Sequence, residues 1–198
     1  MRIMRLALCA LAVCLLAVAC DSVSVSIQTG VTVIAPTMVV ATAVPPVDSL
    51  YPAMPSGLKQ VDILHVVDGD TVDVNLDGVK TRVRLIGINT PETVDPNRPV
   101  QCYGPEASNR AKALLEGQTV FLEADSSQDD RDKYDRLLRY IWFEDGRLFN
   151  MQMILEGYAY EYTYQVPYKY QATFKAAQRQ AEAAQLGLWS PTTCNGQS

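Results

Sequence analysis

Val61-Asp62-Ile63-Leu64-His65-Val66-Val67-Asp68-Gly69-Asp70-Thr71-Val72-Asp73-Val74-Asn75-Leu76-Asp77-Gly78-Val79-Lys80-Thr81-Arg82-Val83-Arg84-Leu85-Ile86 is the stretch that decides the fold. Its apolar positions fall into short β-branched runs, and Asp68-Gly69-Asp70 and Asp77-Gly78 punctuate them with turn-forming residues. The third run, Thr81 to Ile86, alternates polar and apolar, as a strand with one buried face does. These features predict a three-stranded meander beginning near Leu58. Downstream, Pro105 suits the first turn of a helix, where its missing N–H is not needed, and that helix runs to about Leu115 and stops at Gly117. Val120 to Glu123 reads as a fourth strand and Leu138 to Phe143 as a fifth. Leu148 to Glu156 reads as a short helix closed by Gly157, and Tyr168 to Gln185 as a longer one ended by Gly187. Five short strands interleaved with three helices predict an α+β, mainly β, domain: a five-stranded Greek-key barrel of the OB-fold type.

Upstream of Leu58 the composition changes. Arg2 and Arg5 precede an apolar run, Leu6 to Ala19, that is shorter than the ~20 residues needed to span a bilayer. Basic residues, a short apolar run and a small-residue site predict a signal peptide over residues 1–19. Leu16-Ala17-Val18-Ala19-Cys20 resembles a bacterial lipobox with Cys20 as the lipidated residue, and Ala17-Val18-Ala19 also suits ordinary signal peptidase. The expectation is therefore an extracytoplasmic protein, either a membrane-anchored lipoprotein or freely secreted. Residues 20–57 are rich in Val, Thr, Ser, Ala and Pro and read as an extended tether to a domain over 58–198. Cys9 and Cys14 leave with the signal and Cys20 would carry lipid, which leaves Cys102 and Cys194 as an even pair in an oxidising compartment and predicts one disulfide.

The chain carries 17 Lys and Arg against 22 Asp and Glu, and a single His. One His excludes a His-rich zinc site and a two-His catalytic centre. The net charge of −5 argues against a general nucleic-acid coat but leaves room for a local basic site. Four polar clusters fall at predicted strand ends or loops: Asp68 to Thr71, Arg84 with Asn89-Thr90-Pro91-Glu92, Asp132 to Arg136, and the tyrosine-rich run Tyr158 to Tyr170. Taken singly, each is an ordinary turn, strand face or mixed-charge loop. Together they supply what phosphodiester cleavage requires. Arg84 and Arg136 would clamp phosphoryl oxygens. Asp70 with Asn89 would hold a hard divalent cation, Ca²⁺ or Mg²⁺ rather than zinc. Glu92 would orient or deprotonate water, and tyrosines would stack on bases.

In their order and spacing the motifs resemble the staphylococcal nuclease (thermonuclease) family. The matching text is Val66-Val67-Asp68-Gly69-Asp70-Thr71-Val72, Arg84-Leu85-Ile86-Gly87-Ile88-Asn89-Thr90-Pro91-Glu92, Tyr103-Gly104-Pro105-Glu106-Ala107, Asp132-Lys133-Tyr134-Asp135-Arg136 and Leu186-Gly187-Leu188-Trp189-Ser190. The resemblance implies a five-stranded OB-type barrel with three helices. It also implies a Ca²⁺-dependent phosphodiesterase that acts on DNA and RNA, breaks the P–O5′ bond and leaves 3′-phosphates. By motif position, Asp70, Asn89 and the Thr90 carbonyl resemble the metal ligands, with Asp68 as a partner of that site. Glu92 resembles the general base, Arg84 and Arg136 the phosphate-binding arginines, and Lys133 and Tyr134 residues close to substrate.

Two departures stand out. Asn89 puts an amide where the family has a carboxylate, which predicts weaker Ca²⁺ binding. The family's downstream tyrosine pair has three competing matches, Tyr160, Tyr162 and Tyr164, which strand-like alternation would place on one face. The acidic balance further predicts modest non-specific affinity with shallow salt dependence. Expected partners are DNA and RNA substrates, with a membrane engaged only through a lipid at Cys20, for a monomer. The competing reading is a catalytically weak or inactive nucleic-acid-binding module on the cell surface.

Overall fold

The computed structural model describes residues 51–93 and 99–197. The expected signal peptide, Cys20 and all of the expected tether before Tyr51 lie outside the described residues. Strand β1 (Lys59–Asp68) turns back through Gly69-Asp70 into β2 (Thr71–Leu76), and Asp77-Gly78 leads into β3 (Val79–Leu85). Both turn residues of the second hairpin have positive φ, 53° and 83°. That is the type I′ geometry, whose twist matches that of the flanking strands, and Asp-Gly adopts it readily. After β4 (Ile88–Asn89) come helix α1 (Gly104–Leu115), β5 (Thr119–Glu123) and β6 (Leu137–Trp142). Helix α2 (Phe149–Leu155), β7 (Tyr160–Glu161), α3 (Gln171–Ala183) and a 3₁₀ turn (Gly187–Trp189) complete the chain.

The five longer strands close a barrel in the order β1-β2-β3-β6-β5, with β5 pairing back onto β1. Neighbours are antiparallel except β3 and β6, which run parallel. Closure leaves no unpaired edge, and the inward positions are apolar. Val66, Val72, Val74 and Val83 are completely buried, as are Val120 and Ile141. Each such side chain contributes about 1.5–3 kcal/mol relative to remaining in water. The predicted α+β, mainly β, OB-type barrel with three helices is the observed architecture.

One buried polar residue ties the helical layer to the barrel. Asn150 on α2 is fully buried, accepts the Ile141 N–H through its amide oxygen at 3.0 Å and donates to the Ile86 carbonyl at 2.9 Å. It thereby pins the chain where β3 leaves the barrel, directly before the segment that carries Asn89 and Glu92.

Two details depart from expectation. Helix α3 begins at Gln171 rather than Tyr168, and the Lys169 N–H ahead of it donates to the Asp125 carboxylate. It ends at Ala183, two residues before Gln185, whose φ of 52° breaks the helix. Asn89 also belongs to a two-stranded sheet in which β4 pairs antiparallel with β7, so that Asn89 faces Tyr160.

Candidate active site

The site lies where β1 ends, β2 begins, and β3 ends and crosses to β4. The turn Asp68-Gly69-Asp70 brings two carboxylates to the barrel mouth, and both are largely buried. Gly69 is required by space: a Cβ there would lie 2.6–2.9 Å from the Thr90 side chain. That close approach puts Asp70 against the next segment. Asp70 accepts the Thr90 backbone N–H at 3.0 Å, the Thr71 hydroxyl at 2.9 Å, and an ion pair from Arg84 Nη2 at 3.1 Å.

Arg84 leaves β3 with its guanidinium anchored on two backbone carbonyls, Leu85 at 2.7 Å and Ile88 at 2.8 Å. Its Nη2 also donates to the Asn89 amide oxygen at 3.2 Å. One guanidinium therefore bridges Asp70 and Asn89, in a geometry that Lys could not reproduce. Gly87, in the same crossing, has φ of 77°, and a Cβ there would strike the Tyr168 ring at 2.6 Å.

Asp68 accepts the Gly69 N–H and the Thr93 hydroxyl, each at 2.8 Å. Burial raises its carboxyl above the ordinary carboxylate range; those two hydrogen bonds oppose the rise, and the neighbouring charges of Asp70 and Glu92 add to it. Thr93 thus links Asp68 to Glu92. Glu92 is half-buried, and its Oε1 accepts the Thr93 N–H at 3.0 Å.

Across the cleft, the loop from Asp132 to Arg136 folds around the Asp132 carboxylate, which accepts the Tyr134 and Arg136 N–H groups at 2.9 and 3.0 Å. Arg136 Nε also donates to Asp132 at 2.6 Å. Burial alone would raise the Asp132 carboxyl, but the Arg136 backbone and side chain and the Tyr134 N–H hold it below its usual value. Lys133 and Arg136 both lie over the Tyr134 ring, at 5.0 and 5.3 Å from its centre, and Tyr134 is exposed.

These elements enclose one cleft of about 990 Å³. Asp70, Arg84, Asn89, Thr90, Glu92, Lys133, Tyr134 and Arg136 all line it, so every site residue expected from the sequence apart from Cys20 and the disulfide pair meets here. Tyr162 and Tyr164 line it too, with ring centres 6.4 Å apart and both exposed. Tyr160 does not; it packs edge-on against Trp189 at 5.2 Å. The expected three-way alternation fails because β7 is only two residues long. Cys102 and Cys194 form the expected disulfide, with Cα atoms 5.9 Å apart.

A metal ligand set is testable by donor chemistry. Among the described residues, no three Asp, Glu, His or Cys converge as a metal cluster. Asp70 and Asn89 nevertheless present carboxylate and amide oxygens to one shared cation, the Arg84 guanidinium, with the Thr90 backbone beside them. Carboxylate and amide oxygens converging on one point are donors that fit a hard divalent ion, which would replace the Arg84 Nη2 contact. Gln101 was not singled out in the sequence, since a lone glutamine in a loop carries no pattern.

The model of the family described as "Staphylococcal nuclease homologue" matches residues 82–191. The chain belongs to the staphylococcal nuclease family. It is 45% identical over 127 residues to the thermonuclease of Staphylococcus intermedius, covering 64% of this chain and 74% of that protein. It is 43% identical over 128 residues to the thermonuclease of Staphylococcus hyicus, covering 65% and 74%. It is also 39% identical over 134 residues to endonuclease YncB of Bacillus subtilis (strain 168), covering 67% and 63%. The residues matched by the family model include Arg84, Asn89, Thr90, Glu92 and the Asp132-to-Arg136 loop of the cleft.

Proposed function

We propose that this staphylococcal nuclease family member is a Ca²⁺-dependent phosphodiesterase that cleaves DNA and RNA at the P–O5′ bond and leaves 3′-phosphates. That it is a phosphodiester-hydrolysing nuclease follows from its family and its thermonuclease and endonuclease relatives. The observation that carries the finer reading is the convergence on one cleft of Arg84, Arg136, Glu92 and the oxygen donors Asp70 and Asn89.

The cleft residues divide the work. Arg84 keeps Nη1 anchored on two carbonyls, and its Nη2 would exchange Asp70 and Asn89 for phosphoryl oxygens. Arg136 reaches a phosphate by exchanging its Asp132 partner. Glu92 accepts a proton from, or orients, the attacking water. Tyr134, Tyr162 and Tyr164 offer exposed ring faces for bases of a single strand. Asp70, Asn89 and the Thr90 carbonyl would hold the cation, which when bound supplies Lewis-acid stabilisation of the phosphoryl charge. Export, through a signal peptide with either lipidation at Cys20 or simple cleavage, is part of the same proposal.

Digestion of single-stranded DNA with Ca²⁺ and with chelator is the test. Cleavage should occur with Ca²⁺ and stop with chelator, and Glu92→Gln and Arg84→Ala should each lower the rate by about 10² or more. Binding without Ca²⁺-dependent turnover would instead establish an inactive binding module.

A further inference from the structure

Gln101 holds both backbone polar groups of Glu92. The Glu92 N–H donates to Gln101 Oε1 at 2.7 Å, and the Gln101 N–H donates to the Glu92 carbonyl at 2.9 Å. Gln101 is fixed in turn. Its own carbonyl accepts the Gly104 N–H at 3.0 Å at the start of α1, and the next residue, Cys102, is joined to Cys194 across 92 residues of chain.

The tail that carries Cys194 is firmly seated. Gly196 N–H donates to the Leu188 carbonyl and Leu188 N–H to the Gly157 carbonyl, both at 2.8 Å. Gly157 and Gly187 meet so closely that a Cβ on either would lie 2.3 Å from backbone oxygen of the facing segment. Trp189 packs on Tyr160, whose backbone pairs with Asn89. The tail therefore braces the segment from Asn89 to Glu92 at both ends, through β7 on one side and through Cys102 and Gln101 on the other.

We propose that the Cys102–Cys194 disulfide and Gln101 are positioning groups for Glu92, so that the redox state of the cysteine pair sets turnover. The inference rests on Glu92 acting on the attacking water, as proposed above. Cys194 is buried but Cys102 is exposed, so a thiol reductant has access. A dithiol such as dithiothreitol would give two electrons and two protons to the S–S bond, yielding two cysteine thiols and its own cyclic disulfide. Arg136 and Tyr134 belong to the loop held by Asp132, outside the braced segment. Loss of the disulfide should therefore lower kcat by about ten- to a hundredfold, the scale on which catalytic groups respond to small displacements, and leave KM nearly unchanged. The nuclease would then reach full activity only in an oxidising compartment.

A double-mutant cycle tests this. Steady-state kcat and KM on a single-stranded oligonucleotide with Ca²⁺ are measured for the full chain, Cys102→Ser/Cys194→Ser, Glu92→Gln, and the three changes combined. Circular dichroism confirms folding at the assay temperature. A fall in kcat when the cysteines are removed, with no further fall when they are removed from Glu92→Gln, supports the proposal. Equal losses in both backgrounds, or no loss, overturn it and leave the disulfide as a stabilising staple. If Glu92→Gln keeps full activity, the reading of Glu92 itself fails; if it loses activity and disulfide removal does nothing, only the positioning proposal fails. Should the double serine variant not fold, the full chain and Glu92→Gln assayed before and after dithiothreitol carry the same cycle, and Gln101→Met, which removes the acceptor, tests the Gln101 link. Gln101→Glu, which keeps an acceptor oxygen, should restore kcat; failure to do so counts against the proposal.

Discussion

Asn89 places an amide oxygen beside the Asp70 carboxylate in the proposed cation site. Its amide oxygen takes a hydrogen bond from Arg84 Nη2, which also pairs with Asp70. A carboxylate there would add one negative charge within a few ångströms of the cation position. At an effective dielectric near 20, one unit charge at about 4 Å is worth several kcal/mol before desolvation and competition from Arg84 are subtracted. Asn89→Asp should therefore raise Ca²⁺ affinity by at least about tenfold in a calorimetric titration of the full chain. An unchanged affinity would mean that Asn89 does not face the ion.

At the scale of elements, the site depends on how the chain leaves β3 and crosses to β4. Asn150 on α2 governs that exit by pairing with both Ile141 N–H and the Ile86 carbonyl. Asn150→Leu keeps the bulk and strands both backbone groups in the core. Each unsatisfied group costs about 1–3 kcal/mol. In a domain of this size each kcal/mol moves Tm by roughly 2–4 °C. A thermal melt should show Tm lower by at least about 5 °C, and an unchanged Tm would place those groups in contact with water. The Asp68-to-Thr71 turn was legible as a turn because its residues fit little else. The pairing of β4 with β7 was not: two-residue strands have no periodicity, and they pair only because the barrel and tail bring them together.

For the whole molecule, several carboxyls are held below their ordinary range. Arg82 does this chiefly for Asp73. For Glu156 and Asp125 burial pushes the other way, but Arg110 and Gln152 outweigh it at Glu156, and the Lys169 and Ser127 N–H groups with the Tyr140 hydroxyl outweigh it at Asp125. A group whose folded pKa lies below its unfolded value stabilises above the unfolded value, and that stability is lost as pH falls through the folded one. Denaturant unfolding should thus show stability nearly level from pH 7 to 5 and falling below about pH 4. Asp125→Asn should be less stable at pH 7 and show a smaller acid-dependent fall; an unaltered acid limb would remove Asp125 from that account. The net charge of −5 acts over the same scale. With five Lys and Arg lining the cleft, log affinity for single-stranded DNA should fall with log salt at a slope no steeper than about −3.5, at roughly 0.7 per phosphate neutralised.

The barrel, its three helices and most of the site were legible because they rest on local chemistry. Alternation marks β3, Asp77-Gly78 can take two positive φ values, Pro105 can open a helix, and Asp70, Arg84, Glu92 and Arg136 sit in runs whose order matches a family. Other features arise from groups distant in sequence, whose partners no local pattern names. Tyr162 and Tyr164 turn to the cleft while Tyr160 turns to Trp189, because a two-residue strand cannot sustain alternation. Gln101 bears on Glu92 by bonding its backbone, through its own N–H and its side-chain oxygen, and backbone groups carry no sequence signal. Sequence alone thus determined the scaffold and the chemical groups it carries. Only the tertiary structure decided which of those groups face one cleft and what holds Glu92 within it, because spatial convergence is a property of the closed chain.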